Sequence, residues 1–336
     1  MPGQDSRQKK VVVLGGTGFI GLNLLNHLAL DRNVDLQWVK RRRSSCPAII
    51  GLPDPRIIED FENIDLSWLS EADVIVDLVS SGRGRTAQQR NINKRIGPHL
   101  RMIDGLLDRH SSAHYIYLSS AGTIYGNTDQ ASLNEQSPCH PQTEYGLEKM
   151  IVETSLLSAA RNGLDVSILR VANAYGRGQA IKPGFGVIPT MISALQTGSV
   201  FTVLGSGEMQ RDYVNVIDVQ NAISAAIHTG GTGILNIATG QGTSLNRLVS
   251  LIEELSGRKL NRINTEPDRT DPNFARFDIS LARDVLQWQP MVSLREGLSQ
   301  ILRDAGLIAA PAYDIGVAIP SMVEHGPSMP SGSGRA

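Results

Sequence analysis

Residues Val11–Gly21 read VVVLGGTGFIG. Val11–Leu14 makes a short buried strand, and the glycines follow at once. Beyond them Phe19, Ile20, Leu22, Leu24, Leu25 and Leu28 supply the apolar face of a helix. Gly16, Gly18 and Gly21 satisfy G-x-G-x-x-G, while Gly15, Gly18 and Gly21 satisfy G-x-x-G-x-x-G. Glycine there permits turn dihedrals closed to other residues, backbone approach to a pyrophosphate, and close helix–strand contact. The helix N-terminus adds free N–H groups and the positive end of a dipole. The glycines alone fit an ordinary tight turn; between a strand and a helix they predict a dinucleotide site.

Composition narrows the class. A chain of 336 residues with 41% hydrophobic content holds one large core or two domains. A net charge of −1 gives no global electrostatic case for nucleic acid. No apolar run reaches the roughly 18 residues needed to span a bilayer, so no membrane insertion is expected. The start, MPGQDSRQKK, has no hydrophobic signal core. Cys46 and Cys139 have no metal-like spacing, and the seven histidines include no HExxH pair. A cytoplasmic protein with reduced thiols and no metal site is the expectation.

Apolar strands alternate with longer helical stretches through the first half, the sign of βαβ units and a parallel sheet. Strands are expected at Val34–Val39, Asp73–Val79, His114–Leu118 and Val166–Val171, and helices at Asn91–Leu107 and Tyr145–Ala160. The predicted fold is a Rossmann-type doubly wound α/β domain over 9–172, with a return segment near 217–230. A smaller, interleaved α/β substrate domain follows over 173–308. There the strands Phe201–Leu204, Tyr213–Val216 and Ile234–Ile237 are short, and helices are expected near Leu245–Leu255 and Ser293–Asp304. The segment 309–336, mostly Ala, Pro, Gly and Ser with little periodicity, reads as a disordered tail.

The second motif is Tyr145-Gly-Leu-Glu-Lys149. Residues four apart stand one turn above each other on a helix. A phenol ordinarily keeps its proton until about pH 10. A lysine ammonium beside it, and a positive nicotinamide ring nearby, favour the phenolate. An exposed Tyr and Lys on an amphipathic helix is the plain alternative. A third motif, LSSAGTIYG at Leu118–Gly126, places Ser119, Ser120 and Thr123 at the carboxyl end of a strand. Ligands bind at that end of open α/β sheets. A hydroxyl there can bond a substrate oxygen and share its proton with the tyrosine; a Ser- and Gly-rich turn is the alternative.

Together these stretches resemble the extended short-chain dehydrogenase/reductase superfamily, in its NAD-dependent epimerase/dehydratase branch. The resemblance spans about Val11 to Ile301. Beyond the three motifs it rests on ILRVANAYGRGQ (Ile168–Gln179), VLGSGEMQRDYVNVIDV (Val203–Val219), LNIATGQGTSL (Leu235–Leu245) and FDISLARDVLQWQPMVSLREGL (Phe277–Leu298). It implies a Rossmann domain carrying NAD or NADP and a nucleoside-diphosphate sugar held against the C-terminal domain. By similarity Tyr145 is the acid/base, Lys149 its partner and a ribose ligand, and Ser120 the hydroxyl, with Thr123 as fallback. Gly15, Gly18, Phe19, Ile20 and Gly21 would hold the pyrophosphate, Asp60 the adenine, and Tyr175 would pack beside the nicotinamide. Asn173, Arg211 and Arg269 would contact the sugar-nucleotide diphosphate, the arginines through planar donors suited to phosphate oxygens. Relatives commonly pair two helices per subunit, so a homodimer through Asn91–Leu107 and Tyr145–Ala160 is expected.

Two departures matter. Where NAD-bearing members carry an acid at the end of the second strand, this chain has Lys40-Arg41-Arg42-Arg43. Asp35 opens that strand rather than closing it. The cluster favours NADP slightly, with Arg41 toward a 2′-phosphate, although a solvated charged loop also explains it. Second, Ala121 and Gly122 stand where dehydrating and decarboxylating members carry acids, which disfavours both reactions. A nucleoside-diphosphate-sugar 4-epimerase acting through a 4-keto sugar is the main expectation. An NADPH-dependent 4-ketoreductase is the alternative, and a non-catalytic dinucleotide-binding module a minor one.

Overall fold

The computed structural model describes residues 7–46, 51–80, 91–128, 130–181, 186–266 and 276–309. The tail 310–336 and Arg269 lie outside them.

Val11–Leu14 is the centre of the molecule. It belongs to β1 (Lys9–Leu14), flanked in parallel by β2 (Val34–Arg41) and β4 (Val74–Asp77). β3 (Arg56–Ile58) extends the sheet beyond β2, and β5 (His114–Ser120) beyond β4. Val166–Val171 and Gly233–Ile237 complete seven parallel strands on that side. The strand Ile234–Ile237, expected among the short strands of the second domain, is therefore a correction. Its apolar residues pair with Val166–Val171 and close the main sheet.

A strand covered on both faces reads as a continuous apolar run, with alternate residues serving opposite cores. Val11 and Val13 enter one core with Leu24, Leu25 and Leu28 of the helix Phe19–Leu28 and Val219 and Ile223 of the helix Val216–Thr229. Val12 and Leu14 enter the other, with Ile96, Met102 and Ile103 of the helix Ile92–Asp108 and Val152 and Leu156 of the helix Glu144–Arg161. A third cluster, built on Met191, Val203, Leu248 and Leu298, forms the C-terminal core.

The strand order reverses about β1 and β4. Ligands of such sheets bind outside the carboxyl ends at that switch point. The glycine turn leaves β1 there.

Candidate active site

The turn's glycines differ in what they need. Gly15 has φ +78°, and a Cβ on it would stand 2.8 Å from the Leu78 carbonyl carbon at the exit of β4. A Cβ on Gly21 would lie 2.4 Å from the Gly15 oxygen and 2.8 Å from the Gly16 Cα. Both serve packing. Gly18 does not: its φ of −80° suits any residue, and a Cβ would meet only the Gly15 oxygen at 3.4 Å. Gly18 is the N-cap of Phe19–Leu28, which has no side-chain cap bond. A glycine that the fold does not require, at an uncapped helix N-terminus, is a cradle that a side chain would fill. It fits a dinucleotide pyrophosphate. Gly18→Ala is therefore expected to fold normally yet bind NAD at least about tenfold more weakly. Gly21→Ala should lose about 1–3 kcal/mol of stability through overpacking. Calorimetry and urea unfolding separate the two; parallel behaviour of the variants would contradict the distinction.

Tyr145 is the second residue of Glu144–Arg161, whose N-terminus is capped by Thr143 accepting from the Gly146 N–H at 3.1 Å. Gly146 lets the helix reach the turn Ala121–Ile124, since a Cβ there would stand 2.7 Å from the Thr123 oxygen. Lys149 is buried one turn on. Its Nζ donates to the Leu118 oxygen at 2.8 Å and lies 4.5 Å from the Tyr117 ring centre and 5.8 Å from that of Tyr145. This anchoring makes the tyrosine–lysine pair a fixed geometry rather than two mobile surface groups. A buried ammonium so placed stabilises negative charge on a neighbouring phenol.

The hydroxyls also sort by burial. The Ser119 and Thr123 hydroxyls are sealed from solvent without a hydrogen-bond partner among the described residues. Ser120 ends β5, is half-buried, and its side chain makes no cap bond. Ser120 thus presents the accessible hydroxyl, and Thr123 does not. Gly122 brings this turn to Asn173: a Cβ on it would lie 3.5 Å from the Asn173 Oδ1. Asn173 donates from both its backbone N–H and its Nδ2 to the Asp212 oxygen, each at 3.0 Å. Arg211 is half-buried next in sequence, with Nη1 donating to the Gln210 oxygen at 2.6 Å and Nη2 2.8 Å from the Met209 sulfur.

Asp212, unread in the sequence although it stands within QRDYV, holds this arrangement. Its buried carboxylate accepts from the Thr239 N–H and hydroxyl and from the Gly240 and Gln241 N–H groups, at 2.8–3.2 Å. Burial nonetheless pushes it up to about 6.

Other expectations take their places. Asp60 caps the turn Phe61–Asn63 by accepting from the Phe61 N–H at 2.7 Å and pairs with Arg43 at 3.4 Å. Arg42 pairs with Glu59. Arg41 ends β2 with its guanidinium 5.8 Å from the Phe61 ring centre. Asp35 lies at the amino end of β2, opposite the crevice. Tyr175 is 2% exposed and packs in the C-terminal core, its ring centre 6.5 Å from that of Tyr213 and its hydroxyl under Gly297.

The family model described as "NAD dependent epimerase/dehydratase family" matches residues 11–238. The chain belongs to the NAD-dependent epimerase/dehydratase family. It is accordingly an NAD(P)-dependent enzyme. It is 29% identical to an Escherichia coli dTDP-4-dehydro-6-deoxyglucose reductase over 89% of this chain and 98% of that one. Its fold is similar to the Thermotoga maritima UDP-glucose 4-epimerase solved with UDP-glucose, at 27% identity and TM-score 0.75, covering 88% and 97% of the two chains. It is likewise similar to MoeE5 solved with UDP-glucuronic acid and NAD, at 27% identity and TM-score 0.75, covering 87% and 97%. Among the described residues, no helix of this family member is long and apolar enough to cross a membrane.

Proposed function

We propose that this enzyme inverts C4 of a nucleoside-diphosphate sugar through a 4-keto intermediate. The observation that carries this is the Tyr145–Lys149 pair, anchored on the Leu118 carbonyl two residues before the accessible Ser120 hydroxyl, with no carboxylate at the following Ala121–Gly122 step. Glu135 is occupied in accepting from the Asn236 N–H at 2.7 Å, and exposed Glu144 lies 3.4 Å from Arg95. Neither serves the water elimination or decarboxylation that would need an acid. Tyr145 takes the C4 hydroxyl proton and Ser120 bonds that oxygen as it becomes a ketone. A nicotinamide dinucleotide held at the Gly15–Gly21 turn would supply reversible hydride chemistry at C4, open to either face of the ketone. Tyr145 then gives its proton back to the C4 oxygen, so atoms and electrons balance with no net redox change. Asn173, Arg211 and Arg269 are our candidates for gripping the diphosphate. The test is conversion of nucleotide sugars labelled with deuterium at C4, which should give a C4 epimer that keeps the label.

A 4-ketoreductase remains the second reading, supported by the Escherichia coli reductase, which this chain matches almost end to end. It would run the reduction half alone. Stoichiometric NADPH consumption without an epimer would establish it in place of the epimerase.

For the dinucleotide we propose NADP, and Arg41 supports it. The charges of Arg42 and Arg43 are offset by Glu59 and Asp60, while Arg41 at the end of β2 has no such carboxylate among the described residues. Titration of the apo-protein with both cofactors should show tighter NADP binding, lost in Arg41→Ala. Tighter NAD binding would reverse the assignment. We further place the enzyme in the cytoplasm as a homodimer through Ile92–Asp108 and Glu144–Arg161, where Leu147 and Leu157 are exposed. A monomeric mass by light scattering would remove the dimer.

A further inference from the structure

Behind Lys149 lies a group of buried polar side chains that the reaction as described does not use. Asp77 ends β4 with no exposure, inside an otherwise apolar run. Its carboxylate accepts from the Tyr115 hydroxyl at 2.6 Å and the Val79 N–H at 2.9 Å, and lies 2.6 Å from His99 Nδ1. Burial alone would push the Asp77 pKa up, but His99, Tyr115 and the Val79 N–H outweigh it and hold the carboxyl below its ordinary range. An ionised Asp77 assigns the proton of that contact to His99 Nδ1, leaving Nε2 as the uncommitted ring nitrogen. His99 packs edge-on against Tyr117, ring centres 5.6 Å apart at 78°. Burial, then Asp77, Tyr145, Glu148 and Glu153 nearby, hold the Tyr117 phenol well above its usual range, so it stays a donor. His99 Nε2 and the Tyr117 hydroxyl are both fully buried and both lack a hydrogen-bond partner among the described residues. Buried polar groups are ordinarily hydrogen-bonded, so two unpartnered ones on rings that pack together require a reason.

We propose that Asp77 and His99 are positioning residues that act through Tyr117: His99, held by Asp77, packs edge-on against the Tyr117 ring and couples to its hydroxyl through one water at Nε2, and this fixes the ring on which the Lys149 ammonium rests. An ammonium over a ring face is held by the ring quadrupole, and the attraction depends on ring orientation. A tilt of Tyr117 would shift Lys149 relative to Tyr145 and weaken support of the phenolate. Among the described residues, the charged or titratable groups around Tyr117 are Lys149 over its ring, Asp77 from β4, His99 packed on it from Ile92–Asp108, and Tyr145, Glu148 and Glu153 from the helix Glu144–Arg161. Arg95 lies 3.4 Å from Glu148, and Glu153 binds Arg170, so both carboxylates already face a guanidinium.

This inference rests on Tyr145 as the acid/base, and its test needs no sugar substrate. The near-ultraviolet phenolate signal of the full-length protein is titrated with and without NAD, using Tyr145→Phe as the blank. In Tyr117→Phe, which keeps the ring and the Asp77–His99 pair, the midpoint of the Tyr145-dependent step should require roughly tenfold more hydroxide. His99→Asn keeps a donor for Asp77 but has nothing at Nε2, and should match Tyr117→Phe. The double variant should shift no further, because both changes break one coupling. His99→Gln restores a polar atom near Nε2 and should recover part of the shift; a purely structural role for His99 would favour Asn instead. Tyr117→Phe stands as the test should a His99 variant fail to fold. An unchanged midpoint in Tyr117→Phe overturns the proposal alone. A wild-type titration with no Tyr145-dependent step overturns it together with the acid/base reading.

Discussion

Replacing Tyr145 by Phe should cut nucleotide-sugar turnover by about 10²–10⁴-fold while leaving NAD affinity unchanged. The ring that packs in the first turn of Glu144–Arg161 is kept, so the Thr143 cap, the approach of Gly146 to Thr123 and the Lys149–Leu118 bond all survive. Only the group that carries the C4 hydroxyl proton is gone. Rapid-quench turnover together with calorimetric NAD binding reads both quantities. Retention of more than about a tenth of the wild-type rate would mean that another group moves the proton.

The largest expected effect on stability lies behind the same helix. Arg170, in the strand Val166–Val171, donates from Nε and Nη2 to both oxygens of Glu153 at 2.7–3.2 Å, and from Nη1 to the Tyr125 hydroxyl at 3.0 Å. Tyr125 donates in turn to Asn236 Oδ1 at 2.7 Å. All four side chains are buried, and the network ties the tyrosine helix to the sheet. Arg170→Met leaves the Glu153 carboxylate in the core with no counter-charge. Breaking a buried pair from one side costs about 3–5 kcal/mol. Urea unfolding should show a loss of that size, and Arg170→Met/Glu153→Leu should recover much of it by removing the stranded charge. A single variant within about 1 kcal/mol of wild type would show that the pair contributes little.

What the sequence disclosed followed from local chemistry. A strand buried on both faces, a glycine turn and an amphipathic helix are adjacent in the chain, so Val11–Leu28 could be read directly. Tyr145 and Lys149 are likewise one helical turn apart. The misreadings concern contacts between distant segments. The surroundings of Tyr175 were hidden for the same reason: Gly297, which makes room for its hydroxyl, comes more than a hundred residues later. Ile234–Ile237 has the length of a minor strand, and only its pairing with Val166–Val171 puts it in the main sheet. Asp77 and Asp212 went unread although each carried a signal. One is a carboxylate in the apolar run DVIVDLV, and the other is the acid between Arg211 and Tyr213. The basic run Lys40–Arg43 was legible as charge, but its partners Glu59 and Asp60 come from the exit of β3 and were not.

The central claim is hydride removal from C4 and its return to the other face. UDP-, dTDP- and GDP-hexoses carrying deuterium at C4 should be incubated with the enzyme and catalytic NAD or NADP, and the products read by NMR and mass spectrometry. The expected product is an epimer at C4 that retains the deuterium on that carbon, with no net consumption of dinucleotide. Loss of the label to solvent, or no turnover of any hexose in the panel, would contradict it.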